Sequence, residues 1–222
     1  MYENKRILLR EYRVISIGHR ESGQNFLLKR WDMPNPGCLE YDDFPDEDSY
    51  RKQTVIDDEP SLIDIAKFDT EQTQYVLDEG FAMAALRNAH AFIFIYSITS
   101  RESFTELFAA HQRIRGVRDD PVPMIVIGND GWQERERNVS TQEGRALADS
   151  FGCPFVELSR HFDIDIHIRD ILRRIRQFEG GYEVTEDHEE NSEGQRGSSL
   201  ASFPRAAGEW IGARMNRLKR HK

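Results

Sequence analysis

Cysteine is nearly absent from this chain. Two occur in 222 residues, Cys38 and Cys153, and neither has a Cys-x-x-Cys partner. No disulfide framework or zinc knuckle is written here. Long apolar runs are missing too. None reaches the ~18 residues a membrane-spanning helix needs. The opening MYENKRILLREYR lacks the apolar core of a secretory signal, so the chain reads as cytoplasmic. Positive charge is in deficit: 30 Lys and Arg face 39 Asp and Glu, for a net charge of −9 and a pI near 5.3. That balance argues against a nucleic-acid partner.

What is present is an alternation of strand and helix signals. Two apolar runs, FIFIYSI at 92–98 and PMIVIGN at 123–129, read as buried strands, with RVISIG at 13–18 and PFVEL at 154–158 as fainter ones. Helical patterns lie between them. SGQNFLLKRW follows the first strand. Residues 101–117 carry Phe104, Leu107, Phe108, His111 and Ile114 at helical spacing behind a Ser100 N-cap. Residues 140–152 open with the capping box Ser140–Glu143 and close at Gly152. Residues 166–178 form an amphipathic stretch ending in a basic turn. One segment differs: 49–56 and 61–68 flank Asp57-Asp58-Glu59-Pro60 and read as an antiparallel hairpin. The pattern predicts an α/β fold with five parallel strands and one antiparallel edge strand, helices on both faces.

Residues 10–178 are one domain by this reading, after a short extension at 1–9. Residues 179–199 are an acidic, Gly/Ser-rich linker, with seven acidic residues and no Lys or Arg from Glu179 to Gln195. Residues 200–222 regain apolar spacing and carry six Lys and Arg from Arg205 onward against one Glu. This tail is a basic amphipathic helix for an anionic membrane surface, a disordered basic tail, or a segment that folds back on the acidic body.

The stretch GHRESGQN, residues 18–25, has the frame of a phosphate loop: Gly18, four residues, Gly23, then a helix. The usual continuation is Lys and then Ser or Thr. Here Gln24 and Asn25 stand instead. Gln can hydrogen-bond but cannot neutralise phosphate charge. Arg20 is a cation within the loop, but such loops aim backbone N–H groups at phosphate, not side chains. The two glycines serve either a tight strand-to-helix turn or a retained anion site at a helix N-terminus.

Together these segments resemble the catalytic domain of Ras-type small GTPases. EDSYRKQTVIDDEPSLIDI at 47–65 is similar to the effector strand and the hairpin after it. VPMIVIGN at 122–129 resembles the strand leading to the guanine-recognition motif, and GCPFVELS at 152–159 the strand leading to the last base-contacting loop. The resemblance implies GTP or GDP with Mg²⁺ as ligands, bound through Gly18, Gly23, Gln24, Asn25, Asn129 and Ser159, with Asn25 and Asp69 toward the metal. It implies protein partners of Ras-type signalling at Glu47, Asp48, Ser49, Tyr50 and Arg51, where an exposed strand suits pairing with a partner strand. Tyr50 and Lys52 would face one way, Ser49, Arg51 and Gln53 the other.

Motif by motif, the family's chemistry is altered. The phosphate-loop Lys is Gln24. The first-switch Thr falls on Pro45. The second-switch Asp-x-x-Gly-Gln is met by FDTEQTQ (68–74), where Asp69 and Thr70 fit only with a two-residue insertion after Ala66. Gln72 and Gln74 are the glutamines on hand to orient water, and neither stands in the family's frame. The guanine motif reads Asn129-Asp130-Gly131-Trp132, and the last motif Ser159-Arg160-His161. Losing the Lys, the Thr and the base-reading Asp would cost roughly 5–9 kcal/mol, about 10³–10⁶ in affinity. The resulting expectation is a Ras-like pseudo-GTPase without a cofactor, a non-catalytic signalling or scaffold module. The alternative is a divergent GTPase that still binds and slowly hydrolyses GTP. No cysteine follows 153, so the expectation is a protein that is not prenylated.

Overall fold

The alternating signals resolve into a six-stranded sheet with helices on both faces. The structure, a computed structural model, describes residues 10–32, 48–70, 80–118, 120–130, 136–158 and 164–180. In chain order these form β1 (Arg10–Gly18), a 3-10 turn (Arg20–Ser22), α1 (Gln24–Asp32), β2 (Ser49–Ile56), β3 (Glu59–Asp69) and α2 (Gly80–Arg87). There follow β4 (Ala91–Ser97), α3 (Arg101–Val117), β5 (Met124–Asn129), α4 (Thr141–Phe151), β6 (Phe155–Leu158) and α5 (Ile164–Gly180). The sheet order is β2-β3-β1-β4-β5-β6. Every neighbouring pair is parallel except β2 with β3. Pro45, Glu47, Gln72, Gln74, Trp132, Ser159 and residues 181–222 lie outside the described residues.

The two faces have different cores. On one, α1 and α5 cover Tyr12, Val14, Ile63, Ile65, Ile93 and Ile95 with Leu28, Trp31, Ile168 and Leu172. On the other, α2, α3 and α4 cover Ile17, Phe92, Phe94 and Tyr96 with Leu86, Leu107 and Phe151. β4 runs between them with all seven residues buried, as its unbroken apolar run requires. Each such large side chain withdrawn from water contributes about 1.5–3 kcal/mol.

Local signals set most boundaries. The Ser100 hydroxyl accepts from the Ser103 N–H at the start of α3. Ser140 and Glu143 form the reciprocal box at the start of α4, and Gly152 ends that helix at φ +70°. Four details differ from the sequence reading. The hairpin turn is only Asp57 and Asp58, both at positive φ, and Pro60 belongs to β3. Two acidic residues in this conformation make a two-residue turn whose twist matches the flanking strands. Pro60 is tolerated because β3 pairs with β1 only from Ser61 onward. Helix α5 starts two residues earlier than expected and continues to Gly180, so its arginines lie inside it. Phe108 is half exposed, while Ala110 takes an inward place on α3. Helix α2, GFAMAALR, went unread.

Candidate functional site

The carboxyl ends of β1, β3, β4 and β5 converge beside the N-terminus of α1. In an open parallel sheet this is where ligands bind. The chain leaves β1 at Gly18, makes the 3-10 turn and passes Gly23 at φ +75° into α1. Two close approaches fix the loop. A Cβ at Gly18 would stand 2.6 Å from Ser22 Oγ and 2.9 Å from the Ile95 carbonyl oxygen. A Cβ at Gly23 would collide with the Asn129 side-chain amide, which donates to the Ser22 carbonyl at 2.9 Å. Asn129, expected at the guanine motif, thus ties the end of β5 to the loop. Ser22 and His19 are fully buried, and Arg20 is exposed.

The next two residues place their side chains over adjacent strands. Gln24 is buried, and its Nε2 donates to Ser16 Oγ of β1 at 2.7 Å. Asn25 lies over β3, where its Oδ1 accepts from Lys67 Nζ at 2.6 Å. Ser16 and Lys67 are register partners in the β1–β3 ladder. The oxygen expected to face a metal therefore holds an ammonium.

Lys67 is the residue of this constellation that sequence reading missed. The motif match through Asp69 needs two extra residues after Ala66. The ladder contains no bulge to absorb them: Ala66, Lys67, Phe68 and Asp69 pair in unbroken register with Ile15, Ser16, Ile17 and Gly18. An ungapped count puts Lys67 where the resemblance places the first acid of the second-switch motif. Asp69 ends β3 level with Gly18, partly exposed.

Beyond β3, buried Thr70 donates its hydroxyl to Glu106 of α3. His19, Glu102 and Glu106 offer ligand-type atoms within 4.8 Å of one another. His19 Nδ1 accepts from the Glu21 N–H at 3.2 Å, which leaves the ring proton on Nε2. The group reads as a tether between the loop, α3 and the end of β3.

The expected partner strand is β2, at the edge of the sheet. Its alternation is as read: Arg51, Gln53 and Val55 are exposed, and Lys52 lies on the other face. Tyr50 differs from a partner-contacting side chain in being only 2% exposed within the α1/α5 core. A strand docking here meets its backbone and not its ring. Lys52 Nζ donates to the Trp31 carbonyl at 2.6 Å and to Asp165 at 3.4 Å. Asp165 also accepts from Trp31 Nε1 and from Arg169. Burial pushes its carboxyl up, but Arg169 and Lys52 outweigh that and hold it below the usual carboxylate range. Its oxygens are engaged by Trp31, Lys52 and Arg169.

A model of the Ras family matches residues 13–177. A Ras-like protein of Laccaria bicolor is 38% identical over 173 residues, covering 77% of this chain and 80% of that protein. Ras-like protein 1 of Saccharomyces cerevisiae is 34% identical over 197 residues, covering 87% of this chain and 62% of that protein. The chain thus spans less than two thirds of the yeast relative's length. With the antiparallel edge strand, the parallel remainder and the glycine-framed loop beneath Asn129, these matches make the chain a member of the Ras family of small GTPases.

Proposed function

We propose that this Ras-family chain signals by presenting a fixed surface to protein partners and does not hydrolyse GTP. The Lys67–Asn25 hydrogen bond carries the reading. Phosphoryl transfer in this fold class relies on a magnesium ion that the loop's Ser or Thr helps hold and that bridges the β- and γ-phosphate oxygens. The side chains present do not fit that ion. Asn25 would have to release the oxygen that Lys67 engages. An ammonium ~4 Å from a divalent ion is repelled by ~8 kcal/mol at an effective dielectric of ~20. No hydrolytic step is assigned to these residues.

Partner binding is the remaining activity of the fold. Ras-family proteins bind protein effectors and regulators, and the edge strand β2 is the part of this chain suited to it. Its outer face offers Arg51 and Gln53, with Asp48 at its start. A basic partner strand fits this edge. The tail at 200–222 adds a second, weaker contact to an anionic membrane surface. Two assays test the reading. Full-length protein incubated with GTP and magnesium releases no phosphate above the buffer rate. A Ras-binding domain on beads retains the wild type, and Asp48→Lys lowers that retention at least severalfold. Magnesium-dependent phosphate release, or equal retention of both forms, would contradict it.

A second reading has its own support. Gly18 and Gly23 frame the loop, and the Asn129 amide bonds to it at the Ser22 carbonyl. That supports a nucleotide-binding switch, in which partner affinity changes on adding GTP in place of GDP. Unchanged partner affinity under the two nucleotides removes it.

A further inference from the structure

With Gln24 in the lysine position, the loop lacks the family's positive counterpart for phosphate. The geometry points to one, and we propose that Lys67 takes the place of the family's divalent cation, so that this loop binds a nucleoside polyphosphate without metal.

Three observations carry this. First, the ammonium lies at the site itself, 2.6 Å from the oxygen of Asn25, the residue at the family's metal-ligating position. Second, the lysine is delivered by a rigid element. β3 pairs with β1 through Asp69 on one side and with β2 through Ala66 on the other, and the Lys67 N–H itself donates to the Asp48 carbonyl at 2.8 Å. Its backbone cannot swing away to admit an ion. Third, the neighbouring Gln24 is turned down onto Ser16 and leaves the charge balance to Lys67. A neutral amide and an ammonium now stand where the family has an ammonium and a metal. At the start of α1 the Gln24 N–H rests on Ser22 Oγ at 3.2 Å, a contact that a bound phosphate oxygen would replace.

The chemistry expected of the site follows. It binds phosphate through backbone donors and one fixed monovalent cation, and it repels magnesium on the same oxygen. Polyphosphate held in this way is not activated for transfer, because a single ammonium does not bridge two phosphate groups as a divalent ion does. This holds whether or not β2 receives a partner strand.

The test is calorimetric titration of full-length protein, stripped of nucleotide, with GDP, GTP and inorganic tripolyphosphate, in EDTA and in excess magnesium. The expected result is binding of at least one of these in EDTA, unchanged or weakened in excess magnesium, which chelates the polyphosphate in solution. Lys67→Met, close in length and uncharged, weakens binding in EDTA by roughly ten- to a hundredfold. Lys67→Asp binds only when magnesium is supplied. Thermal melting of each variant without ligand confirms that it is folded. A wild-type affinity at least tenfold higher in magnesium overturns the proposal. So does the absence of binding by all three anions in both buffers, or Lys67→Met binding as tightly as wild type. Hydrolysis is measured separately, so loss of this proposal leaves the partner-binding reading to stand or fall on its own assays.

Discussion

The start of α1 and the end of β3 make an instructive pair. Both fall in motifs of the family and both carry altered side chains, in opposite senses. At α1 a cation has gone: Gln24 stands in the lysine position and bonds to Ser16. At β3 a cation has arrived: Lys67 stands in the acid position and bonds to Asn25. Seen one motif at a time, each is a loss. Seen across the β1–β3 ladder they are an exchange, with the positive charge moved one strand over. A degenerate motif therefore says little until the spatial neighbours of each changed residue are known.

The most damaging way to break this comparison is to spoil the shared backbone. Gly18→Val drives its side chain against Ser22 and the Ile95 carbonyl, and the strand cannot retreat because β4 is buried. A loss of about 2–4 kcal/mol is expected. For a domain of this size that lowers Tm by roughly 5–15 °C.

Next comes the charge exchange. Gln24→Lys alone adds an ammonium near Lys67 and removes the bond to Ser16, at a cost of about 1–3 kcal/mol in the ligand-free protein. Combining it with Lys67→Asp recovers part of the loss, because each charge then has an opposite neighbour. Denaturant melts of the four species give the coupling energy. Strictly additive losses would mean the two positions do not communicate.

A pH titration supplies a control away from the site. His90 Nδ1 accepts from the Arg13 N–H at 2.8 Å, and burial, reinforced by Arg13, Arg10 and Arg118, pushes its pKa down to about 4. The unfolded chain takes up that proton near 6.5 and the folded chain only near 4. Its stabilising contribution is therefore complete above 6.5 and is lost as pH falls through that window. His90→Asn keeps an acceptor without titrating, so its melting temperature should fall less between pH 7 and pH 5. Equal falls in both proteins would contradict the assignment.

The smallest effect has the opposite sign. Gly116 lies in the last turn of α3 with nothing within 4 Å of an added Cβ. Gly116→Ala should stabilise by about 0.5–1 kcal/mol, seen as a slightly higher melting temperature. It isolates what is special about Gly18, a glycine required by contacts rather than by chance.

Much of the fold was legible because its signals are local. The apolar run of β4 and the reciprocal pair Ser140–Glu143 are each decided within a few residues. The hairpin was read a little long because a Pro beside acidic residues looks like turn. Its place beyond the start of β1 is a tertiary fact. Helix α2 was missed because its small apolar residues, Ala82, Ala84 and Ala85, give no sharp stripe. The candidate site was half legible. Gly18, Gly23 and Asn129 announce themselves by spacing. Lys67 does not, since a lysine in an alternating strand reads as a solvated face, and only the ladder with β1 brings it to Asn25. Tyr50 shows the same limit from the other side: alternation gave its direction correctly, and the helices that cover it belong to distant sequence.

The most direct measurement is paramagnetic broadening of the Gly23, Gln24 and Asn25 backbone amides by manganese, a magnesium substitute, with GDP present at saturation. The account predicts that these signals keep their width in wild type and broaden in Lys67→Asp. Broadening in the wild-type protein that saturates with manganese would place a divalent ion beside Asn25 and contradict the claim that an ammonium occupies that position.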